Sequence, residues 1–153
     1  MKYILLSFII GLTFKVSAQI NYKYQNNLSF SYSETIENYK ILDSLYANAK
    51  LVEIGKSDIG KPLHLFVISA DADFSPESLH NKGKAILLVN NGIHPGEPCG
   101  IDASLKFAED LLSKEKRLLK NTVVCIIPFY NIGGGLNRSC CSRAMQNGPQ
   151  EYG

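Results

Sequence analysis

A histidine and a glutamate stand three residues apart in the stretch Asn90–Gly100, NNGIHPGEPCG. Imidazole nitrogen and carboxylate oxygen are both good zinc ligands. The pair sits between an apolar run, Ala85–Val89 (AILLV), and an amphipathic helical pattern. A loop after a buried strand is where open α/β sheets place their ligand sites. Gly96 and Pro98 can shape a turn that brings the two side chains together, and Glu97 falls at the positive end of the following helix. His94 and Glu97 are therefore read as two of three zinc ligands. The third is not recognisable: His64 alternates with Leu63 and Leu65 in a strand pattern, and His80 lies in a polar loop. A lone His-x-x-Glu is common by chance, so the weight comes from its context.

The elements that must hold this loop follow from periodicity. Ala85–Val89 reads as a strand buried on both faces, of the kind found in parallel sheets. Pro98 suits a first helical turn. Ile101, Leu105, Ala108, Leu111 and Leu112 then form a buried stripe, opposite Asp102, Lys106, Glu109 and Lys114. A second apolar run, Val123–Ile127, ends at Pro128. Strand, helix, strand is a right-handed βαβ unit with parallel strands, expected at 85–90, 98–114 and 122–127. Both strands then end at one sheet edge. That puts Asn131, Arg138 and Arg143 of the later loop beside His94 and Glu97.

Upstream, a helix should begin near Ser33, capped by Ser33 or Thr35. Ile36, Tyr39, Leu42, Leu45, Tyr46 and Ala49 make its apolar face. Leu51–Gly55 and Leu63–Ser69 read as a hairpin across the turn-rich link KSDIGKP. Residues 19–32 read as an extended arm lying on the domain. The class is α/β, a partial mixed sheet with flanking helices.

Residues 1–18 have the layout of a secretory signal peptide, with Lys2, an apolar run Tyr3–Phe14 and a small-residue close, cut after Ala18 or Gln19. The alternative is an uncleaved anchor. Cleavage removes Lys2 and Lys15 and no acid, leaving 14 basic and 14 acidic side chains. A neutral mature chain carries no nucleic-acid footprint, and no second run has membrane length. The expected location is secreted or periplasmic. Cys99, Cys125, Cys140 and Cys141 show no Cys-x-x-Cys spacing, which disfavours a cysteine-rich zinc site. Cys125 reads as a small hydrophobe, and a bridge from Cys99 to Cys140 or Cys141 stays open. Asn27-Leu28-Ser29 and Asn137-Arg138-Ser139 fit glycosylation triplets.

The run IHPGEPCGIDAS resembles the first zinc-binding segment of the zinc carboxypeptidases of the carboxypeptidase A and B type. The later run IIPFYNIGGGLNRSCCSRAMQNGPQEYG resembles their segment after the next strand, and VEIGKSDIGKPLHLFVIS their opening hairpin. The resemblance covers roughly residues 33–153. It implies that His94 and Glu97 are the first two Zn2+ ligands. Arg143 would be the arginine that polarises the scissile carbonyl, with Arg138 the alternative. The turn Asn131-Ile132-Gly133-Gly134 departs from the family's Asn-Pro-Asp-Gly. The implied activity is removal of C-terminal residues from peptides by a zinc-activated water, on a substrate with a free C-terminus. A related zinc deacylase and a non-catalytic C-terminal-peptide-binding module are the alternatives. The family's third histidine ligand, its Asn-Arg carboxylate grip and its general-base glutamate have no counterpart before Gly153. The expectation is thus an N-terminal portion of a catalytic domain, 33–153. The chain alone should bind zinc weakly and lack turnover. Its strand 122–127 should present an uncovered apolar edge.

Overall fold

The computed structural model describes residues 20–94 and 96–139. Helix α1, Tyr32–Leu45, is capped by Ser31, whose Oγ accepts from the Glu34 N–H while Glu34 Oε2 accepts from the Ser31 N–H. This capping box replaces the expected cap at Ser33 or Thr35. Only Ser31 has a glutamate three residues on and on the helix side. Ile36, Tyr39 and Leu42 face the core, but Leu45 is exposed and the helix ends there. Ala49 is buried as the first residue of β1 rather than as a helical one.

Strands β1 (Ala49–Lys56) and β2 (Pro62–Ile68) form the expected antiparallel hairpin, with an irregularity between Glu53 and Gly55. A short helix α2, Pro76–Asn81, capped by Ser75, follows. It holds His80, which the polar composition had placed in a loop; Pro76 at its start and the Ser75 cap favour the turn. Then come β3 (Ala85–Asn90), α3 (Cys99–Ser113), a 3-10 turn at Lys116–Leu119, β4 (Thr122–Ile127) and α4 (Ile132–Leu136). The sheet order is β1-β2-β4-β3, antiparallel at β2/β4 and parallel at β3/β4. The βαβ unit therefore stands as read, with α3 beginning at Cys99 and Pro98 as its N-cap.

Side-chain alternation divides the sheet. Phe66, Ile68, Val124 and Ile126 face the layer of α1 and α3. They share a core with Tyr39, Leu42, Leu105, Ala108, Leu111 and Leu112, which the arm residues Ile20 and Phe30 complete. Val67 and Val123 face the other way, against Leu79 of α2. The five-residue stripe expected on α3 is buried throughout. Cys125 packs partly buried on the second face, and burial pushes its thiol above the ordinary cysteine range.

One expectation is reversed. β3 is not buried on both faces: it is the sheet edge, and Ile86, Leu87 and Leu88 are 55%, 46% and 58% exposed. The uncovered apolar edge is thus β3, while β4, expected to carry it, lies inside the sheet between β2 and β3. An apolar run states that a strand wants cover on both faces, not which of two such strands is central. Among the described residues, no helix is long and apolar enough to cross a membrane. The signal-like segment and Cys140 and Cys141, with any bridge from Cys99, lie outside them.

Candidate metal-binding loop

The βαβ crossover sets the loop after β3 beside the loop after β4, and their backbones hydrogen-bond. Asn91 N–H donates to the Ile127 carbonyl (3.2 Å), Tyr130 N–H to Asn91 O (2.8 Å) and Asn131 N–H to Gly92 O (3.0 Å). Gly92 makes the bend with φ +63°, and a Cβ there would stand 3.2 Å from the Phe129 ring and 3.3 Å from Ile101. Both the left-handed backbone and the close packing call for glycine. The Asn91 side chain turns inward. Its Nδ2 donates to Ser104 Oγ (2.9 Å) on α3 and lies 3.3 Å from Ile127 O. Ser104 Oγ meets Tyr39 OH of α1 at 3.1 Å. Gly100 leaves room for this, since a Cβ there would meet Asn91 Oδ1 at 3.0 Å.

On this base His94 and Glu97 converge. His94 Nδ1 and Glu97 Oε2 are 2.8 Å apart, and the Glu97 N–H donates to His94 O (3.1 Å). The side chains are 51% and 30% exposed, so a solute ion can reach both. With the carboxylate ionised, which can only accept, Nδ1 carries the proton of this bond. Two ligand atoms on a tetrahedral zinc with bonds of about 2.1 Å stand roughly 3.4 Å apart. Exchanging the shared proton for a cation asks the pair to open by only about half an ångström on that geometry. The donor types and their placement fit zinc. Among the described residues, no third His, Cys, Asp or Glu joins them.

The zinc carboxypeptidase family profile matches residues 39–136, spanning the hairpin, this loop and the turn after β4. The chain belongs to the zinc carboxypeptidase family. No curated protein matches it. Among solved structures, carboxypeptidase A from Helicoverpa armigera is similar at 23% identity and TM-score 0.63, over 72% of this chain and 26% of that one. A metallo-carboxypeptidase from Burkholderia cenocepacia is similar at 19% identity and TM-score 0.60, over 72% of this chain and 30% of that one. Bovine thrombin-activatable fibrinolysis inhibitor, solved in complex with tick carboxypeptidase inhibitor, follows at 21% and 0.58, over 72% and 34%. At such identities the likeness is one of fold: the partial mixed sheet is that of the carboxypeptidases. The chain spans about a quarter to a third of the length of these structures.

The other candidates fall elsewhere. His64 lies on β2 opposite Glu53, with Nδ1 buried and without a hydrogen bond. Burial lowers its pKa, opposed by the Glu53 charge and assisted by that of Lys40. His80 is exposed on α2. Arg138 reaches the arm: Nη2 donates to Phe30 O (2.8 Å), and its guanidinium lies 5.4 Å from the Phe129 ring centre. Asp102, on the first turn of α3, accepts from the Phe30 N–H (3.3 Å); burial raises its pKa, against the pull of Ser29, Phe30 and Arg138. Arg138 thus ties the segment after α4 to the arm. Arg143 lies outside the described residues.

The loop's supporting residues Asn91, Gly92, Ser104 and Tyr39 were not read as such from the sequence. Two signals were there. Asn91-Gly92 after an apolar strand is a turn dipeptide favouring positive φ. Ser104 is the one polar residue at a stripe position of α3, three after Ile101. A cleft of about 320 Å³ also opens between the β1–β2 turn (Lys56, Ser57, Asp58) and Ile93, Tyr130 and Asn131.

Proposed function

We propose that this chain carries part of the active site of a secreted or periplasmic zinc metallocarboxypeptidase, with His94 and Glu97 as Zn2+ ligands. The observation that carries the reading is the 2.8 Å approach of His94 Nδ1 to Glu97 Oε2 within the family-matched segment. Bound zinc supplies Lewis acidity, which polarises a peptide carbonyl and makes water a nucleophile near neutral pH. The chain's own residues prepare that site. Gly92 and Asn91 hold the loop at the end of β3, and Glu97 aligns the imidazole. In this reading Arg143 pairs with the carbonyl oxygen as charge develops on it. The substrate class is a peptide or protein with a free C-terminus. The leader at 1–18 is proposed to export the chain.

Calorimetric titration of the full chain with zinc tests the ligand assignment. His94→Ala and Glu97→Ala should each weaken binding at least about tenfold, since each removes one of few ligands. Measurable zinc binding of equal affinity in wild type and both variants would refute it. A parallel assay on a peptide with a free C-terminus, in a chain extended to the length of the family's structures, tests the substrate class. Cleavage confined to the C-terminal bond is the expected result, and internal cleavage would contradict it.

A further inference from the structure

We infer that Asn131 is a positioning residue for His94, an inference that rests on the zinc-ligand reading above. Its carboxamide bridges the two loops. Oδ1 accepts from the Gly134 N–H (2.9 Å), capping α4, and Nδ2 donates to the Ile93 carbonyl (3.2 Å). The Ile93 carbonyl belongs to the same peptide unit as the His94 N–H, so holding it fixes the plane from which the His94 side chain departs. The His94 carbonyl is held as well, because the Glu97 N–H donates to it at 3.1 Å. The carbonyls on either side of the His94 Cα are therefore anchored, one by Asn131 and one by Glu97. With both anchored, the Cα–Cβ bond is aimed at the carboxylate, which the ring meets at 2.8 Å.

The residue type matters at this position. A carboxamide is neutral and can accept and donate at once. Aspartate would keep the cap and place a negative oxygen against the Ile93 carbonyl. Serine would keep the cap but is too short to reach that carbonyl as well. Glutamine adds a methylene that moves both atoms. The amide orientation follows from its partners, an N–H on one side and a carbonyl on the other. The backbone of Asn131 reinforces the bridge by donating to Gly92 O at 3.0 Å. Outer partners that orient a ligand change metal affinity about 10–100-fold when lost.

The test compares wild type, Asn131→Asp and Asn131→Ser in the full chain. Both variants retain an α4 cap, so circular dichroism and the urea midpoint should stay near wild type. The decisive readout needs no metal: nitrogen-15 NMR of the His94 ring near pH 8. Wild type should show the proton on Nδ1, held by Glu97, and both variants should shift the ring toward the Nε2–H tautomer. Zinc affinity by calorimetry should fall about 10–100-fold in both. A wild-type tautomer ratio with wild-type zinc affinity in either folded variant would overturn the inference. Loss of fold in one variant leaves the other to decide. A His94→Ala control separates the two readings. If it binds zinc as wild type does, the ligand assignment fails, while the ring tautomer still decides whether Asn131 sets the imidazole.

Discussion

Ser104→Ala should destabilise the chain far more than the loss of one hydroxyl on a helix suggests. Ser104 is 5% exposed and Tyr39 is fully buried. Ser104 Oγ has a single hydrogen, which goes to the Ile101 carbonyl at 3.1 Å. It therefore accepts from both Tyr39 OH and Asn91 Nδ2, at 3.1 and 2.9 Å. Burial pushes the Tyr39 phenol above its usual range, in keeping with a protonated donor. Alanine strands that donor, at about 1–3 kcal/mol for an unsatisfied buried group. Asn91 keeps Ile127 O at 3.3 Å but loses its better partner, adding about 1 kcal/mol. The total is about 2–4 kcal/mol, a large share of a typical domain's stability. Urea unfolding with an m-value near 1.5 kcal/mol per M would lower the midpoint by roughly 1.3–2.7 M. The mechanism also fixes a sign. Tyr39→Phe should cost about 0.5–1.5 kcal/mol in wild type but stabilise the Ser104→Ala variant, because it removes the stranded hydroxyl. A Ser104→Ala change below about 0.5 kcal/mol, or additive costs in the double variant, would refute the reasoning.

Gly92→Ala meets both a left-handed backbone and the Phe129 ring at 3.2 Å; it should cost about 1–3 kcal/mol in urea unfolding, and a neutral result would mean that the bend relaxes freely. His64 should make stability fall in mild acid. Its folded pKa is depressed by burial, so the unfolded chain takes up the proton first, and stability present above about pH 6.5 is lost as pH falls toward the folded value. His64→Gln should flatten that fall between pH 7.5 and 5.5, and parallel midpoint curves would exclude the residue as its source. Arg138→Ala removes the donor to Phe30 O and the contact on Phe129; amide exchange at residues 28–31 should accelerate while that of α3 residues 105–112 does not, and unchanged exchange in the arm would show that it is held elsewhere.

Local patterns carried much of this structure. The apolar stripe on α3, the hairpin turn and the parallel βαβ unit each follow from short-range periodicity and crossover handedness, and they place His94 and Glu97 on one loop. The i, i+3 spacing lets the two side chains meet, because each partner is close to the other in sequence. The cap of helix α1 is also local: Ser31, with Glu34 three residues on, forms a box that Ser33 and Thr35 cannot.

Other features depended on chain segments far apart. Two apolar runs, Ala85–Val89 and Val123–Ile127, look alike as strings. Only the pairing of β4 with β2 as well as β3 made one central and the other an exposed edge. The bond from Arg138 to the arm reaches Phe30, 108 residues away, and no local pattern announces it. The buried triad of Tyr39, Ser104 and Asn91 joins α1, α3 and the β3 loop across separations of 65 and 13 residues. The sequence by itself determined the hairpin, the βαβ unit and which loop holds the histidine and glutamate, since those depend on neighbours; the short helices α2 and α4 lay in stretches that read as loops. Tertiary structure decided which polar groups find partners, since burial makes an unpartnered donor costly only after distant segments have packed around it.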